Sequence, residues 1–504
     1  MIGLIVVACQ FDEGEKQVVE TKSGESDGRQ LSEIHCGGCH QYAEPSLLDS
    51  TSWSDFMLPR MGHLLGFYRE GEERANLLGR DSLSRIIVDK AGLFPKEPTI
   101  TAEEWNLIQE YYLDNAPQKL PKPEPQNLKV GIPGFEVVYP NIRMDIPSTT
   151  MLKIRPEGGL FMGDANTQSL FVLNEELRPE GQLQLKEGAV WMETLKDRLY
   201  ITVMGSFAPT DAAFGLIASL PVTGSGEGDI PINDLKRPVH MQMGDLNQDG
   251  SEDFVICEFG KWTGCLAWHE ALPNGDFQKH ILSNSPGAIK AYIKDFNDDG
   301  LNDVIALFGQ GNERIDLYTN RGDGTFATET VIQFSPSNGS SWFALHDMDG
   351  DGKDDILYTA GDNADFTPVL KPYHGLYVFL QGEDMAFEQD FFYQLNGAYG
   401  AVPADYDQDG DLDIAAISFF PDFKNGAKES FVYLQNDGGE YQAYGLEDPE
   451  QGRWIVLDAG DYDLDGDLDL VLGSLTFEVV PAMGLVDRWI SERIPFIVLE
   501  NQLE

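Results

Sequence analysis

Residues 461–469 read DYDLDGDLD, and the same pattern stands four times before it: DLNQDGSED from Asp245, DFNDDGLND from Asp295, DMDGDGKDD from Asp347 and DYDQDGDLD from Asp405. Every copy has a side-chain oxygen at positions 1, 3 and 5, glycine at 6 and aspartate at 9. Successive copies start 50, 52, 58 and 56 residues apart. The flanking chain repeats too. An alternating stretch leads in (RPVHMQMGD, GAIKAYIKD, RWIVLDAGD) and an apolar run follows (DFVICEF, DVIALFG, DILYTAG). A third segment ends polar (LAWHE, IDLYTN, FIVLEN), and a fourth (FQKHIL, FATETVI, FEQDFF) usually comes after a Gly/Asp turn. Four short strands recurring at that spacing are one blade of a β-propeller.

The acidic turns have the chemistry of a calcium site. Oxygens at 1, 3 and 5 can converge on a hard cation, and glycine at 6 permits the sharp turn. A helix–loop–helix calcium site would need glutamate at position 12. Here position 12 is apolar (Ile256, Ala306, Tyr358, Ala416, Leu472) and falls within a strand. The expected ligands are Asp245, Asn247, Asp249 and Asp253; Asp295, Asn297, Asp299 and Asp303; Asp347, Asp349, Asp351 and Asp355; Asp405, Asp407, Asp409 and Asp413; and Asp461, Asp463, Asp465 and Asp469. Eighteen of these twenty are carboxylates, so about five bound Ca2+ ions would offset much repulsion. One such turn alone reads equally well as solvated surface; five in register do not. The pattern, lying between two strands, resembles the FG-GAP or VCBS repeats of integrin-α-like seven-bladed propellers.

Five blades account for residues 236–504. Residues 127–235 hold FMGDANTQSLFVLN and VWMETLKDRLYITVMG, which alternate like strands without a full acidic turn and supply two less regular blades. Seven blades are expected, six and eight being the alternatives. The last segment, FIVLENQLE, is a third strand, and an open blade exposes an edge. A segment near GFEVVYP (134–140) is therefore expected to close the ring.

Upstream, residues 35–40 read HCGGCH. CxxCH is the attachment run for c-type haem. The thiols of Cys36 and Cys39 would form thioethers, His40 would bind iron, and the two glycines would let a macrocycle approach the backbone. A thioredoxin-like CxxC would need a βαβ setting that is missing here, and zinc would need two more ligands in suitable spacing. TAEEWNLIQEYYLDN (101–115) reads as a capped helix, with Thr101 as cap and Glu104 three residues on. Its aromatic face resembles the closing helix of class I cytochromes c, and the span from His35 to Ala116 is similar to that family in size. A sixth iron ligand is sought in WSDFMLPRMGHLLGFY, which offers Met57, Met61 and His63. Met61 is preferred, because it follows a proline expected to end a helix and because the family places its ligand methionine in a loop.

The expected organisation is multidomain: a tether over 1–30, a small all-α cytochrome c-like domain over 31–116, a linker over 117–126 (PQKLPKPEPQ, four prolines) and an all-β propeller over 127–504. The opening apolar run ends VVAC at Cys9 and resembles the lipobox of bacterial lipoproteins, although it lacks a basic segment before it. Cys257 and Cys265 flank a hairpin and are candidates for a cross-strand disulfide.

The chain has 35 basic and 84 acidic residues, a net charge of −49. That balance excludes nucleic acid as a partner and leaves contact with a membrane to a lipid anchor. The expected function is electron transfer outside the cytoplasm, in the periplasm or at the surface of a bacterium, with the propeller docking a redox partner protein or a small-molecule or glycan ligand. Two alternatives follow: a propeller oxidoreductase that passes electrons to its own haem, and a surface adhesion or glycan-binding lipoprotein. No catalytic triad or phosphate loop stands out, and no catalytic residue is assigned.

Overall fold

The apolar run after each acidic turn does not alternate, and its position in the fold explains why. Asp253–Glu258, Asp303–Phe308, Asp355–Ala360, Asp413–Ser418 and Asp469–Ser474 are second strands of successive sheets, buried at every residue. Each is covered on both faces by neighbouring blades, so either parity must be apolar. The outer strands Phe277–Ser283 and Phe326–Gln333 have no fully buried residue and carry polar side chains.

The computed structural model describes residues 28–123, 126–222, 228–362, 367, 369–476 and 484–503. Its sheets form a seven-bladed propeller. The innermost strands are Thr149–Ile154, Ala189–Leu195, Pro238–Gly244, Ala288–Lys294, Ser340–His346, Ala398–Ala404 and Trp454–Gly460. Each touches the next, and the last returns to the first, closing the ring. The first two blades replace the acidic loop with tight turns: Gly158 and Gly159 take φ +86° and +73°, and Lys196 takes +55°.

Ring closure uses the expected segment. Phe135–Val138 pairs antiparallel with Phe496–Asn501, Phe135 opposite Asn501 and Val138 opposite Val498. The Phe135 ring packs edge-on against Tyr406 and Tyr433 at 6.2 and 5.6 Å. The short strand Lys129–Val130, which sequence reasoning did not foresee, adds in parallel to the outer edge of the sixth blade.

Residues 28–115 are helical, through Gly28–His35, Leu58–Leu64, Ser82–Ala91 and Ala102–Asn115. The expected capping box is present: Thr101 Oγ1 accepts from the Glu104 N–H at 3.2 Å, and Glu104 Oε2 accepts from the Thr101 N–H at 2.8 Å. Trp105, Ile108 and Tyr112 face the core of this domain with Leu31, Trp53 and Leu58. Gly28 sits where the first helix meets the closing one. A Cβ there would lie 2.3 Å from the Leu107 carbonyl oxygen and 2.8 Å from Tyr111 Cβ, so only glycine permits the approach.

One expectation is corrected here. Pro59 does not end a helix, and Met61 does not lie in a loop. Helix runs on from Ser50 through a π turn at Trp53–Met57 into Leu58–Leu64. In the π turn the Leu58 N–H reaches back to the Trp53 carbonyl. That wider turn accommodates a proline that has no N–H and would otherwise collide with the preceding turn.

The helical domain rests on the connections between second and third strands, at the end of the propeller opposite the acidic loops. Thr210 Oγ1 donates to Asp81 Oδ2 at 2.7 Å, and the Asp211 N–H donates to Ser84 Oγ at 3.2 Å. Tyr373 OH donates to the Leu47 carbonyl at 2.9 Å, and Phe94 meets Trp262 edge-on at 5.1 Å.

Candidate functional site

The five acidic loops share one backbone path. Position 4 is left-handed in each: Gln248, Asp298, Gly350, Gln408 and Leu464 have φ between +57° and +78°. So is the glycine at 6, from +84° at Gly250 to +103° at Gly466. This path folds the chain around the aspartate at position 1. Its Oδ2 accepts the N–H of the glycine, as in Gly300 to Asp295 at 2.8 Å and Gly466 to Asp461 at 3.1 Å. The carboxylate at 5 accepts the N–H at 7, as in Asp411 to Asp409 at 2.9 Å.

With the backbone so wound, the carboxylates at 1, 3 and 5 converge. Ligand oxygens of Asp347, Asp349 and Asp351 lie within 4.8 Å of one another, as do those of Asp405, Asp407 and Asp409, and of Asp461, Asp463 and Asp465. The loops at Asp245 and Asp295 follow the same backbone with Asn247 and Asn297 at position 3. The set fits a divalent cation. All donors are oxygen, and Asp463 Oδ1 is buried without a hydrogen-bond partner among the described residues. Burial and then the Asp465 carboxylate push Asp467 up to about 6. Burial pushes Asp469 up to about 7, with Asp463 and Asp467 adding. A cation would relieve both.

Position 9 does something the sequence did not reveal. Asp253, Asp303, Asp355, Asp413 and Asp469 are buried. Each spends both oxygens on backbone N–H groups, one at position 2 of its own loop and one at the end of the third strand. Asp303 accepts from Phe296 at 3.2 Å and from Asn320 at 2.7 Å; Asp355 accepts from Met348 and Gln381, both at 2.7 Å. The aspartate thus fastens the loop to its blade, and at Asp413 the Tyr433 hydroxyl donates to Oδ2 as well. Polar residues ending third strands reach further. Asn320 Nδ2 donates to the Leu246 carbonyl of the preceding blade's loop at 2.8 Å, and Gln248 donates to Gly300 at 2.8 Å in the opposite direction.

The CGGCH run forms a turn at the end of Gly28–His35. The Cys36 N–H donates to the Ser32 carbonyl at 2.8 Å. A Cβ on Gly37 would lie 2.4 Å from the Glu33 carbonyl oxygen, so this glycine is required by the turn itself. Burial, and then the neighbouring Cys39, push the Cys36 thiol up to about 11. His40 Nδ1 lies 2.7 Å from the Gln41 carbonyl oxygen. A carbonyl only accepts, so Nδ1 carries the proton and Nε2 presents its lone pair. Covalent haem would be held here by the thiols of Cys36 and Cys39, and the His40 imidazole would bind its iron.

Met57 and Met61 both pack on the core entered by Tyr42 and Ala43, just beyond His40. His63 is engaged elsewhere, its Nε2 2.9 Å from Glu72 Oε2. Cys9 lies outside the described residues. The expected Cys257–Cys265 disulfide is not formed, and both are free thiols. The register gives the reason. Cys265 stands opposite Glu258 and Leu266 opposite Cys257, so the two sulfurs emerge on opposite faces of the sheet. Cys265 Sγ instead donates to Glu258 Oε1 at 3.4 Å.

No curated protein matches the chain. Among solved structures, a virginiamycin B lyase from Staphylococcus aureus is 10% identical with a TM-score of 0.46, covering 73% of this chain and 100% of its own. A streptogramin B lyase is 11% identical at 0.47, covering 73% and 98%. The N-terminal domain of Nup159 is 11% identical at 0.40, covering 75% and 100%. Likeness this distant carries nothing about activity. Residues 295–358, which include the acidic loops at Asp295 and Asp347, match the FG-GAP-like repeat.

Proposed function

We propose that the chain is an extracytoplasmic haem c electron-transfer protein whose calcium-loaded propeller is a docking platform. The observation that carries the haem reading is the CGGCH turn: two thiols, a glycine the backbone demands, and an imidazole whose Nδ1 is tied to Gln41 so that Nε2 is left to bind a metal. Bound haem supplies one-electron exchange. The chain's own residues do the rest: Cys36 and Cys39 hold the group, His40 orients it, and Trp105, Ile108 and Tyr112 keep water from one side. Met61 is the proposed sixth ligand, with Met57 four residues earlier as the alternative on the same core. A methionine at that position favours electron transfer over oxygen chemistry.

FG-GAP-like repeats on a propeller suit binding, and the helical domain leaves the acidic-loop end uncovered for a partner. The acidic loops are proposed to hold Ca2+, and Cys9 to carry a lipid anchor in the bacterial periplasm or at the cell surface. The test is a visible spectrum, oxidised and reduced, of protein matured with haem-attachment machinery. Sharp reduced bands that persist in Cys257→Ser, vanish in Cys36→Ser/Cys39→Ser and change ligation state in Met61→Ala support the reading. A five-coordinate spectrum that shifts with carbon monoxide would favour the oxidoreductase alternative. Protein without haem after such maturation would leave a binding propeller alone.

A further inference from the structure

At the axis of the propeller, side chains from separate blades meet. Trp191 belongs to the second blade and Trp342 to the fifth. These blades are not neighbours, yet their rings stand 5.9 Å apart. Between them lies Lys290 of the fourth blade. Its Nζ is 3.6 Å from the Trp342 ring centre, 4.8 Å from Tyr292 and 5.7 Å from Trp191. Lys290 is 5% exposed and has no ion-pair partner among the described residues.

Charged groups facing it come from every side. Lys153 of the first blade is paired with Asp458 of the seventh at 3.3 Å. Glu193 of the second blade accepts from Trp191 Nε1 at 3.0 Å. His240 and Cys257 of the third blade are buried, and His240 Nδ1 has no hydrogen-bond partner among the described residues. Burial, and then Lys153, hold the Lys290 ammonium well below its ordinary value; Glu193, Asp458 and Cys257 oppose this. Ring faces return less to a desolvated cation than is lost by taking an ammonium from water. The neutral amine wins.

Along Ala288–Lys294 the chain runs from Lys290 through Tyr292 towards the acidic loop at Asp295. Lys153 and Asp458 lie nearer that mouth and are partly exposed, while the helical domain occupies the other end. We propose that Lys290 is a nucleophilic amine that condenses with small neutral aldehydes entering from the acidic-loop mouth, with Glu193 protonating the departing oxygen. The rings favour an apolar, uncharged reactant. Nζ attacks the carbonyl carbon, a C=N bond replaces C=O, and oxygen leaves as water with the two amine hydrogens. Burial also raises the Glu193 pKa, which keeps a proton available to it.

The full chain in calcium-containing buffer is treated with propionaldehyde and cyanoborohydride, digested, and each lysine quantified by mass spectrometry. Lys290 is expected to be alkylated about tenfold faster at pH 7 than the exposed Lys96 and Lys186, with a rate that levels off at lower pH than theirs. Glu193→Gln is expected to slow Lys290 about fivefold and leave Lys186 unchanged. An unmodified Lys290 beside modified Lys96 and Lys186, or one that tracks them in rate and pH profile, would overturn the proposal. An unchanged rate in Glu193→Gln would overturn the role given to Glu193.

Discussion

The side-chain amide of Asn501, at the end of the last strand, donates to the backbone carbonyl of Tyr406 at 2.8 Å. Tyr406 is the second residue of the acidic loop one blade earlier, so the last strand of the ring holds its neighbour's loop in place. The same amide donates to Leu468 at 3.3 Å within its own loop. Asn320 repeats the arrangement three blades away, on Leu246 and Asn302.

Asn501→Ala should therefore leave two loop carbonyls without donors. Asn501 is buried, so water replaces the amide poorly. A loss of about 1–3 kcal/mol is expected in urea unfolding. Gln442→Ala, whose amide makes only a long 3.4 Å bond to Asn127 and one to its own neighbour at 3.1 Å, should cost a fraction of that.

Excess EGTA should lower the melting temperature of the propeller, because carboxylates held within 4.8 Å of one another repel once the cation leaves. Calorimetric titration of the apo chain should count about five Ca2+. Asp463→Asn/Asp465→Asn should remove one and leave the rest. An unchanged melting curve in EGTA would end the calcium reading.

Gly28→Ala forces a Cβ to within 2.3 Å of the Leu107 carbonyl oxygen. The first helix must move off the closing one, at about 1–3 kcal/mol. Within the CGGCH turn the two glycines should differ. Gly37→Ala meets the Glu33 carbonyl at 2.4 Å and should cut haem incorporation, whereas Gly38→Ala reaches the Ile34 carbonyl only at 3.5 Å and should be tolerated. Pyridine haemochrome quantification after maturation decides.

Glu313 predicts a pH dependence. It joins the fourth and fifth blades, accepting from the Gly339 N–H at 3.1 Å, the Ser340 N–H at 2.7 Å and Ser340 Oγ at 2.6 Å. Burial outweighs these bonds and pushes its carboxyl up from 4.5 to about 7. The folded state then holds the proton more tightly than the unfolded one. This group's contribution is greatest below pH 4.5 and declines as pH rises through about 7. Between pH 5.5 and 8, Glu313→Gln should gain on the natural protein by about 2 kcal/mol. Urea unfolding at the two pH values measures it; equal differences would contradict the assignment.

The parts legible in sequence were those that repeat. DxDxDGxxD five times announced the loops, and the missing outer strand after FIVLEN pointed to GFEVVYP, which pairs there. What stayed hidden depended on contacts between distant residues. Asn320 and Asn501 look like ordinary polar strand ends until the preceding blade is beside them. Asp253 and its four counterparts read as ligands, and nothing local shows that both oxygens are taken by backbone N–H groups. LPRMG suggested a helix end because a π turn has no sequence signal of its own. Cys257 and Cys265 suggested a bridge because their spacing says nothing of which face each occupies. Lys290 in GAIKAYIKD reads as an outward lysine on an alternating strand, although in a ring that side is the axis.

The pairing of Phe135–Val138 with Phe496–Asn501 also orders events during synthesis. The partner of residue 135 emerges from the ribosome some 360 residues later, so the seventh blade cannot assemble until Phe496–Asn501 has been made. Contacts within residues 28–115 are local and can form early. The Cys36–His40 turn therefore passes through a period in which its own helices have folded while the platform beneath them is still incomplete. Attachment enzymes would meet a small, accessible domain, and a chain terminated early would keep an unpaired strand that quality-control proteases can seize.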